Sequence, residues 1–150
     1  LLERMRPRLN GARVNGVLQI ANDLPEISGN PRALEQVFSN LFTNAMQAMS
    51  ENGGTMTVRI RLLERSGGRQ VVEAAITDTG PGIPPGQIER IFQPFFTTKT
   101  GGTGLGLAIT KRIVTAHKGN IQVSSVPGGT VFTLQFTGLP PSHASMQIQV

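Results

Sequence analysis

The sequence predicts an α+β domain, a two-layer sandwich in which helices cover one face of a mixed β-sheet. Apolar residues recur at helical spacing in two long segments, and five short segments have the alternation or the apolar run of a strand. The helical segments stand between hairpins rather than in repeated strand–helix–strand units, which favours α+β over a doubly wound fold. The 150 residues suffice for one core of ordinary size.

The first half of the chain reads as helix, strand, helix. Apolar spacing over residues 1–9 predicts the end of a helix, which Pro7 and Gly11 keep short. Residues 17–21 form a short apolar strand. Asn30 and Pro31 then suit the cap and first turn of a long helix, whose apolar face continues to Met49.

The second half predicts two hairpins separated by a lid and a helix. Residues 55–63 and 70–78 alternate as paired strands, and residues 120–126 and 130–136 do so again. Residues 80–103 are rich in Gly, Pro and Thr, with one helical turn at 87–92, and a loop of that length is typically a flexible lid. Residues 105–117 form the last helix.

The composition excludes several classes of protein. Hydrophobic residues make up 38% and charged residues 15%, which is ordinary globular chemistry. The absence of cysteine excludes disulfides, zinc–thiolate sites and thiol nucleophiles. No apolar run reaches the roughly 20 residues of a membrane span, and no signal peptide opens the chain. We therefore expect a cytoplasmic domain without direct membrane contact, whether or not a parent protein is membrane-anchored.

The net charge of +5 raises the question of a nucleic-acid partner. The basic residues are scattered, and the chain has neither Trp nor Tyr for base stacking. We expect no nucleic acid as a partner, since scattered basic charge fits solubility or a small polyanionic ligand equally well.

Two asparagines in the long helix are candidate ligands of a metal ion. Asn40 and Asn44 are four residues apart and share one face with Gln36 and Gln47. A solvated face of an amphipathic helix is one interpretation. Asn is nevertheless a poor residue for a helix interior, and amide oxygens suit Mg²⁺, which takes few protein oxygens besides substrate phosphates.

An apolar strand ends on the single carboxylate of Asp78. Gly80 and Gly82 follow it and let a ligand approach the backbone. A partly buried carboxylate needs hydrogen bonds, and the amino group of a purine could supply one. An Asp that merely starts a turn is an alternative. Asp78-Thr79-Gly80 also matches the triplet of aspartic proteases, but one copy followed by Pro-Gly would require a dimeric enzyme.

A glycine-rich segment, residues 101–107, leads directly into the last helix. Small residues and free amides at a helix N-terminus favour phosphate, although a flexible hinge has the same composition. The segment has neither the Gly-Lys-Ser/Thr of a Walker loop nor the dinucleotide fingerprint. Before it stand Phe92, Phe95 and Phe96, which could anchor the lid, and Lys99, which could reach phosphate oxygens.

Taken in order, these motifs resemble the ATP-binding catalytic (HATPase) domain of bacterial sensor histidine kinases, within the Bergerat-fold ATPases. Residues 40–45 resemble the N box, 78–83 the G1 box, 92–99 the F box and 102–109 the G2 box. The resemblance covers about residues 9–136, and Asn-Ala-Met-Gln-Ala-Met and Phe-Phe-Thr-Thr-Lys are most similar to the nitrogen-regulation class.

The resemblance implies ATP and Mg²⁺ as ligands and assigns residues to them. Asn44 would hold Mg²⁺, Asn40 would support the phosphates, and Asp78 would accept from the adenine amino group. Gly80, Gly82, Ile83 and Leu107 would line the base pocket, and the triphosphate would be wrapped by Gly102, Thr103, Gly104, Leu105 and Gly106. Thr98 and Lys99 would also belong to the ATP site, and Thr133 would orient a water near Asp78.

The sequence departs from the family pattern at places that bear on activity. Gln47 and Ala48 stand where many relatives have a basic and an aromatic residue. Asn40 stands where the hydrolytic members have a glutamate base, and an amide cannot deprotonate water. His117 and His143 lack the acidic residue that usually follows a phospho-accepting histidine, and His117 suits a helix C-terminal interaction.

These features imply a protein-histidine kinase whose acceptor lies elsewhere. The γ-phosphate would pass to a histidine of a separate upstream dimerisation domain and then to a response regulator receiver domain, so this chain alone should not autophosphorylate. The alternative is a nucleotide-binding or ATPase module without a kinase role. Residues 1–15 would be the end of a helix and linker from the upstream domain, 16–137 the ATP-binding domain and 138–150 a loose tail.

Overall fold

A computed structural model describes residues 1–97 and 103–140, with only the backbone described at Leu2. Short 3₁₀ turns cover Ser66–Gly68 and Pro85–Arg90. The helices and strands are α1 (Leu2–Gly11), β1 (Val14–Ile20), α2 (Pro31–Ala48), β2 (Gly54–Arg65), β3 (Arg69–Asp78), α3 (Gly106–Ala116), β4 (Asn120–Val126) and β5 (Gly129–Thr137).

The strands form one mixed sheet in the order β1-β2-β3-β5-β4. β1 runs parallel to β2, whereas the β2–β3, β3–β5 and β4–β5 pairs are antiparallel. β3 is therefore the central strand, and its last residue, Asp78, lies opposite Met56 on β2 and Thr130 on β5. The predicted α+β class with a mixed sheet is confirmed.

The core lies between the sheet and the helices. Alternate residues of each strand face the helices because successive side chains of a strand point to opposite faces. Burying each large apolar side chain stabilises the fold by about 1.5–3 kcal/mol, which holds α2 and α3 firmly against the sheet. Members of this core include Val37, Leu41 and Phe42 of α2, Val114 of α3, and Met56, Ile76, Phe132 and Leu134 of the strands.

The start of α2 follows directly from its sequence. Asn30 Oδ1 accepts hydrogen bonds from the N–H groups of Arg32 (3.0 Å) and Ala33 (3.2 Å), and Pro31 occupies the first turn. The Asn30 N–H donates to His117 Nε2 at 3.0 Å, while His117 Nδ1 lies 2.7 Å from the carbonyl oxygen of Ile113. His117 thus joins the end of α3 to the start of α2, in agreement with the predicted helix C-terminal interaction.

Both predicted domain boundaries need a correction. β1 begins at Val14, and Val14, Met5 and Leu9 are buried in the core, so the domain starts earlier than residue 16. At the other end, Gly138 N–H donates to the carbonyl oxygen of Gln70 at 2.8 Å, and the next amide is also bound. The tail therefore cannot be loose from residue 138 onward. Residues 141–150 lie outside the described residues.

In the part of the chain that the structure describes, no helix combines the length and the apolar character that crossing a membrane requires.

The face of the sheet opposite the helices carries a buried carboxylate. Glu73 on β3 accepts hydrogen bonds from Arg61 Nε and Gln135 Nε2, both at 2.8 Å. Burial raises the pKa of Glu73, but the hydrogen bonds from Gln135 and Arg61 and the charges of Arg61 and Arg59 outweigh it. The pKa of this carboxyl group therefore lies below its ordinary value of 4.5.

This lowered pKa predicts how stability depends on pH. The unfolded chain binds the proton more readily, so Glu73 contributes stability above its ordinary pKa of 4.5 and loses it as the pH falls through the folded-state pKa. We expect Glu73→Gln to lower the free energy of unfolding by about 1 kcal/mol at neutral pH and by clearly less near pH 3. Urea unfolding at both pH values measures this, with the exposed Glu64→Gln as control. An equal loss at both pH values would contradict it.

Candidate functional site

A cavity of about 440 Å³ lies where α2, the end of β3, the loop after it and the start of α3 meet. Its wall contains residues from all four sequence motifs, which lie far apart in the chain; the F box contributes two of them, Phe96 and Thr97. The predicted site residues that line it are Asn40, Asn44, Asp78, Gly82, Ile83, Thr103, Gly104, Gly106 and Leu107. The fold thus brings the separate motifs together at one end of the central strand.

Asp78 is held at the end of β3 with its carboxylate oriented. It is only 3% exposed, and its Oδ1 accepts a hydrogen bond from the Gly80 N–H at 2.9 Å. This bond orients the carboxylate, and Asp78 lies in the wall of the cavity. That it accepts from the amino group of a base stays a prediction.

Gly80 does not line the cavity, and its importance is steric. A Cβ at this position would stand 2.9 Å from the Ala48 carbonyl oxygen and 3.1 Å from Asp78 Oδ1. The loop after β3 therefore passes α2 so closely that a side chain would displace both. Gly80 contributes by placing Asp78, not by contact with a ligand.

Asn40 and Asn44 both line the cavity from α2. Asn40 Nδ2 donates to the Gly106 carbonyl oxygen at 3.2 Å and to Thr110 Oγ1 at 3.3 Å. Both amide hydrogens are then used within the protein, and none is left to donate to a phosphate. Asn40 thus ties α2 to the first turn of α3.

The start of α3 has the character of an anion site. Its N-cap is Leu105, which makes no side-chain cap hydrogen bond, so no cap side chain among the described residues occupies the amides of the first turn. These N–H groups and the positive end of the helix dipole attract phosphate. Gly106 begins the helix, and a Cβ there would meet no atom of the described residues within 4 Å outside the helix itself. The described part of the fold does not require this glycine. Leu105 itself does not line the cavity.

Gly104, in contrast, is required by the fold. Its φ is +70°, and a Cβ would stand 2.4 Å from the carbonyl carbon of Phe95. The Phe95 N–H donates to the Gly104 carbonyl oxygen at 2.9 Å, so the glycine-rich segment packs on the F-box backbone. Phe92 packs edge-on against Phe132 with 6.3 Å between ring centroids, which supports the interpretation that it anchors the lid. Phe95 is 77% exposed and anchors nothing in the core.

The prediction of Thr133 is wrong, and Thr130 takes its place. Thr133 lies opposite Ala75, three residues along β5 from the residue that pairs with Asp78. Its side chain is therefore on the face of the sheet opposite that of Asp78. Thr130 lies opposite Asp78, is 3% exposed and lines the cavity. The alternation of β5 could have indicated Thr130, because Thr130 is on the same, helix-facing side of the strand as the buried Phe132 and Leu134.

The sequence also missed several lining residues in the loops. Pro84, Gln87 and Ile91 belong to the turn before the F box, and nothing in their residue types marks them as functional. Thr98, Lys99 and Gly102 lie outside the described residues. Among the described residues, no group of three or more His, Asp or Glu side chains could hold a metal ion, so the candidate metal ligand is the amide of Asn44.

Comparison with known proteins agrees with this geometry. The family described as histidine kinase-, DNA gyrase B-, and HSP90-like ATPase matches residues 29–139. The signal transduction histidine-protein kinase AtoS of Escherichia coli (strain K12) is 44% identical over 124 residues, which are 82% of this chain and 20% of AtoS. The sensory histidine kinase/phosphatase NtrB of Salmonella typhimurium is 40% identical over 116 residues, 74% of this chain and 33% of NtrB.

Among solved structures, the mycobacterial sensor histidine kinase MprB superimposes with a TM-score of 0.78 at 31% identity, covering 93% of this chain and 91% of that one. The chain spans only a fifth to a third of the curated relatives AtoS and NtrB. The similarity to NtrB confirms the resemblance to the nitrogen-regulation class, and the family match excludes the aspartic protease interpretation of Asp78-Thr79-Gly80. The chain belongs to the histidine kinase-, DNA gyrase B- and HSP90-like ATPases and is an ATP-binding catalytic domain of the sensor histidine kinase type.

Proposed function

We propose that this domain binds Mg²⁺-ATP in the cavity and transfers the γ-phosphate to a histidine on a separate dimerisation domain, from which a response regulator receives it. One observation carries the proposal: Asp78, Asn44 and the uncapped start of α3 line the same cavity. Its volume of about 440 Å³ falls within the roughly 300–1,000 Å³ typical of small-molecule sites.

The base would bind at the end of β3. Asp78 would accept from the adenine amino group, and the apolar side chains of Ile83 and Leu107, which line the same cavity, would contact the ring. Thr130, next to Asp78 across the strand pair, provides a hydroxyl at the same place. A carboxylate that accepts from an amino group makes a charge-assisted hydrogen bond, which is stronger than a neutral one.

The phosphates would lie between α2 and α3. Residues 103–106 surround the N-terminus of α3, and we propose that Thr98, Lys99 and Gly102 act on the same phosphates. The amide oxygen of Asn44 fits Mg²⁺, which usually takes one or two protein oxygens and fills the remaining positions with phosphate and water. When bound, the ion would supply positive charge that neutralises the phosphate oxygens during transfer.

The lining of the cavity favours transfer over hydrolysis. Asp78 is the sole ionisable side chain among the described residues that line it, and the Gly80 amide holds it at the base end. By the family resemblance, Asn40, an amide that lines the cavity, stands where hydrolytic members have their glutamate base. The described residues thus offer no base beside the phosphates to activate water, which favours a nucleophile on another module, and phosphoryl transfer requires mainly positioning and charge stabilisation.

The proposal is tested by mixing the domain with a separately produced histidine-bearing dimerisation domain of a sensor kinase and labelled ATP. We expect acid-labile, base-stable phosphate on the histidine domain, and its later appearance on a receiver domain. Phosphate released to water without any labelled histidine would instead support the ATPase module. Tight nucleotide binding with neither product would support a module that only binds.

Gly106→Ala is expected to change stability and ligand binding in opposite directions. Because a Cβ at Gly106 would meet no atom of the described residues within 4 Å outside its own helix, alanine should raise helix stability by up to about 1 kcal/mol. The same Cβ would enter the space proposed for the phosphates and weaken the binding of an unhydrolysable ATP analogue about tenfold. Thermal unfolding and calorimetric titration measure the two effects.

Gly86→Ala is the control, because a Cβ at Gly86 would also meet no atom of the described residues within 4 Å but Gly86 does not line the cavity. Unchanged affinity in Gly106→Ala would place the phosphates elsewhere.

A further inference from the structure

A second cavity adjoins the first along α2. Its volume is about 330 Å³, and residues of α1 and α2 line it. Thr43 and Gln47 line both cavities, so these two side chains form the border between them. Thr43 directly precedes Asn44, the proposed Mg²⁺ ligand, which puts the border at the phosphate end of the site. On the far side of this border, Arg8 of α1 lines the second cavity.

α1 is held alongside α2 at both ends, which fixes the position of Arg8 between them. Near the start of α1, Arg4 forms an ion pair with Glu35 in the first turns of α2. Just after the end of α1, Arg13 Nη2 donates to the carbonyl oxygen of Glu51 at 2.8 Å. The apolar side of α1 is buried in the core. The backbone of Arg8 therefore cannot move away from α2 unless these contacts break.

The charge of Arg8 is not used within the described part of the fold. Ion pairs among the described residues join Arg4 to Glu35 and Arg61 to Glu73, and neither involves Arg8. The guanidinium of an arginine is a planar fork of five N–H donors, which matches the oxygens of a phosphate. Arg8 is exposed, so its long side chain can change rotamer toward a ligand at little cost.

The proposed ligand needs more positive charge than the described wall of the first cavity supplies. A triphosphate keeps a net negative charge even with Mg²⁺ bound. Asp78, the sole ionisable side chain among the described residues of that wall, is itself an acid, and Lys99 lies outside the described residues. A guanidinium at the border would attract most strongly the phosphate that extends closest to it, because Coulomb attraction falls with distance and is screened by salt.

We propose that Arg8 binds the terminal phosphate of the nucleotide across the border formed by Thr43 and Gln47, so that α1 is part of the ATP site. The inference rests on the proposed binding of nucleotide in the first cavity, and it adds a residue from outside all four sequence motifs. It gives the domain a means to prefer ATP over ADP, because the γ-phosphate is the group that ADP lacks.

The test compares an unhydrolysable ATP analogue with ADP in calorimetric titrations, both with Mg²⁺. Arg8→Gln is expected to weaken binding of the ATP analogue about tenfold, as for one charge-assisted hydrogen bond at an exposed site, and binding of ADP less than about twofold. The preference for ATP should therefore fall about fivefold or more. Arg6→Gln is the control, because Arg6 is also an exposed arginine of α1 but lines neither cavity. This variant should bind both nucleotides like the parent domain.

The outcomes separate this inference from the proposed function. If the parent domain binds neither nucleotide, the proposed function fails. If it binds them and Arg8→Gln keeps the parent preference, or weakens both nucleotides equally, Arg8 is a solvated surface charge and the inference is wrong. Arg8→Lys keeps the charge and should retain most of the preference, so a loss as large as in Arg8→Gln would contradict the electrostatic role. Should thermal unfolding show that Arg8→Gln is not folded, Arg8→Met takes its place, with the same expected and contradicting results.

Discussion

An Asp78→Asn variant is expected to lose about 10- to 100-fold in ATP affinity while keeping its fold. The buried carboxylate would be replaced by a neutral amide whose NH₂ group competes for the place of the adenine amino group. The remaining amide oxygen can still accept from the Gly80 N–H, which is why the loop should keep its conformation. Calorimetric titration with an unhydrolysable ATP analogue measures the loss, and thermal unfolding monitors the fold.

The matched control for this variant is Asp23→Asn. Asp23 is exposed, lies outside the cavity and has a φ of +57°, a conformation that Asn adopts as readily as Asp. Asp23→Asn removes the same charge without changing the site, so the ATP affinity of this variant should equal that of the parent domain. If Asp78→Asn also bound ATP like the parent, the carboxylate would not recognise the base.

An Asn44→Ala variant is expected to bind ATP with the same affinity in the presence and in the absence of Mg²⁺. The parent domain should bind at least about tenfold more tightly with Mg²⁺, because the amide oxygen would hold the ion against the phosphates. Alanine is the best helix former, so the backbone of α2 should not weaken at this position. Paired titrations with Mg²⁺ and with EDTA give the ratio for each protein.

Gln36→Ala on the same helix is the control for Asn44→Ala. Gln36 is exposed and does not line the cavity, so the Mg²⁺ dependence of this variant should equal that of the parent. A parent-like dependence in Asn44→Ala itself would show that another group holds the ion. A parent domain indifferent to Mg²⁺ would remove the reason for assigning a metal ligand at all.

The sequence by itself determined the elements whose signals are local. Asn30 and Pro31 mark the first turn of α2 because a cap acts on amides two and three residues away. Pro127 to Gly129 mark the last hairpin, and alternation marks its strands. The order of Asn44, Asp78 and Gly104 along the chain also sufficed to identify the family, since each motif contains the residue types that its own ligand requires.

Only the tertiary structure decided how these local pieces meet. Thr130 rather than Thr133 lies beside Asp78 because strand register places them, and a displacement by an odd number of residues turns a side chain to the other face. Ser125 Oγ accepts from an amide 42 residues earlier in the chain, and Asn40 donates to the carbonyl oxygen of Gly106, 66 residues later. Contacts between residues so far apart leave no pattern in either segment, because each follows from the packing of the whole sheet and its helices.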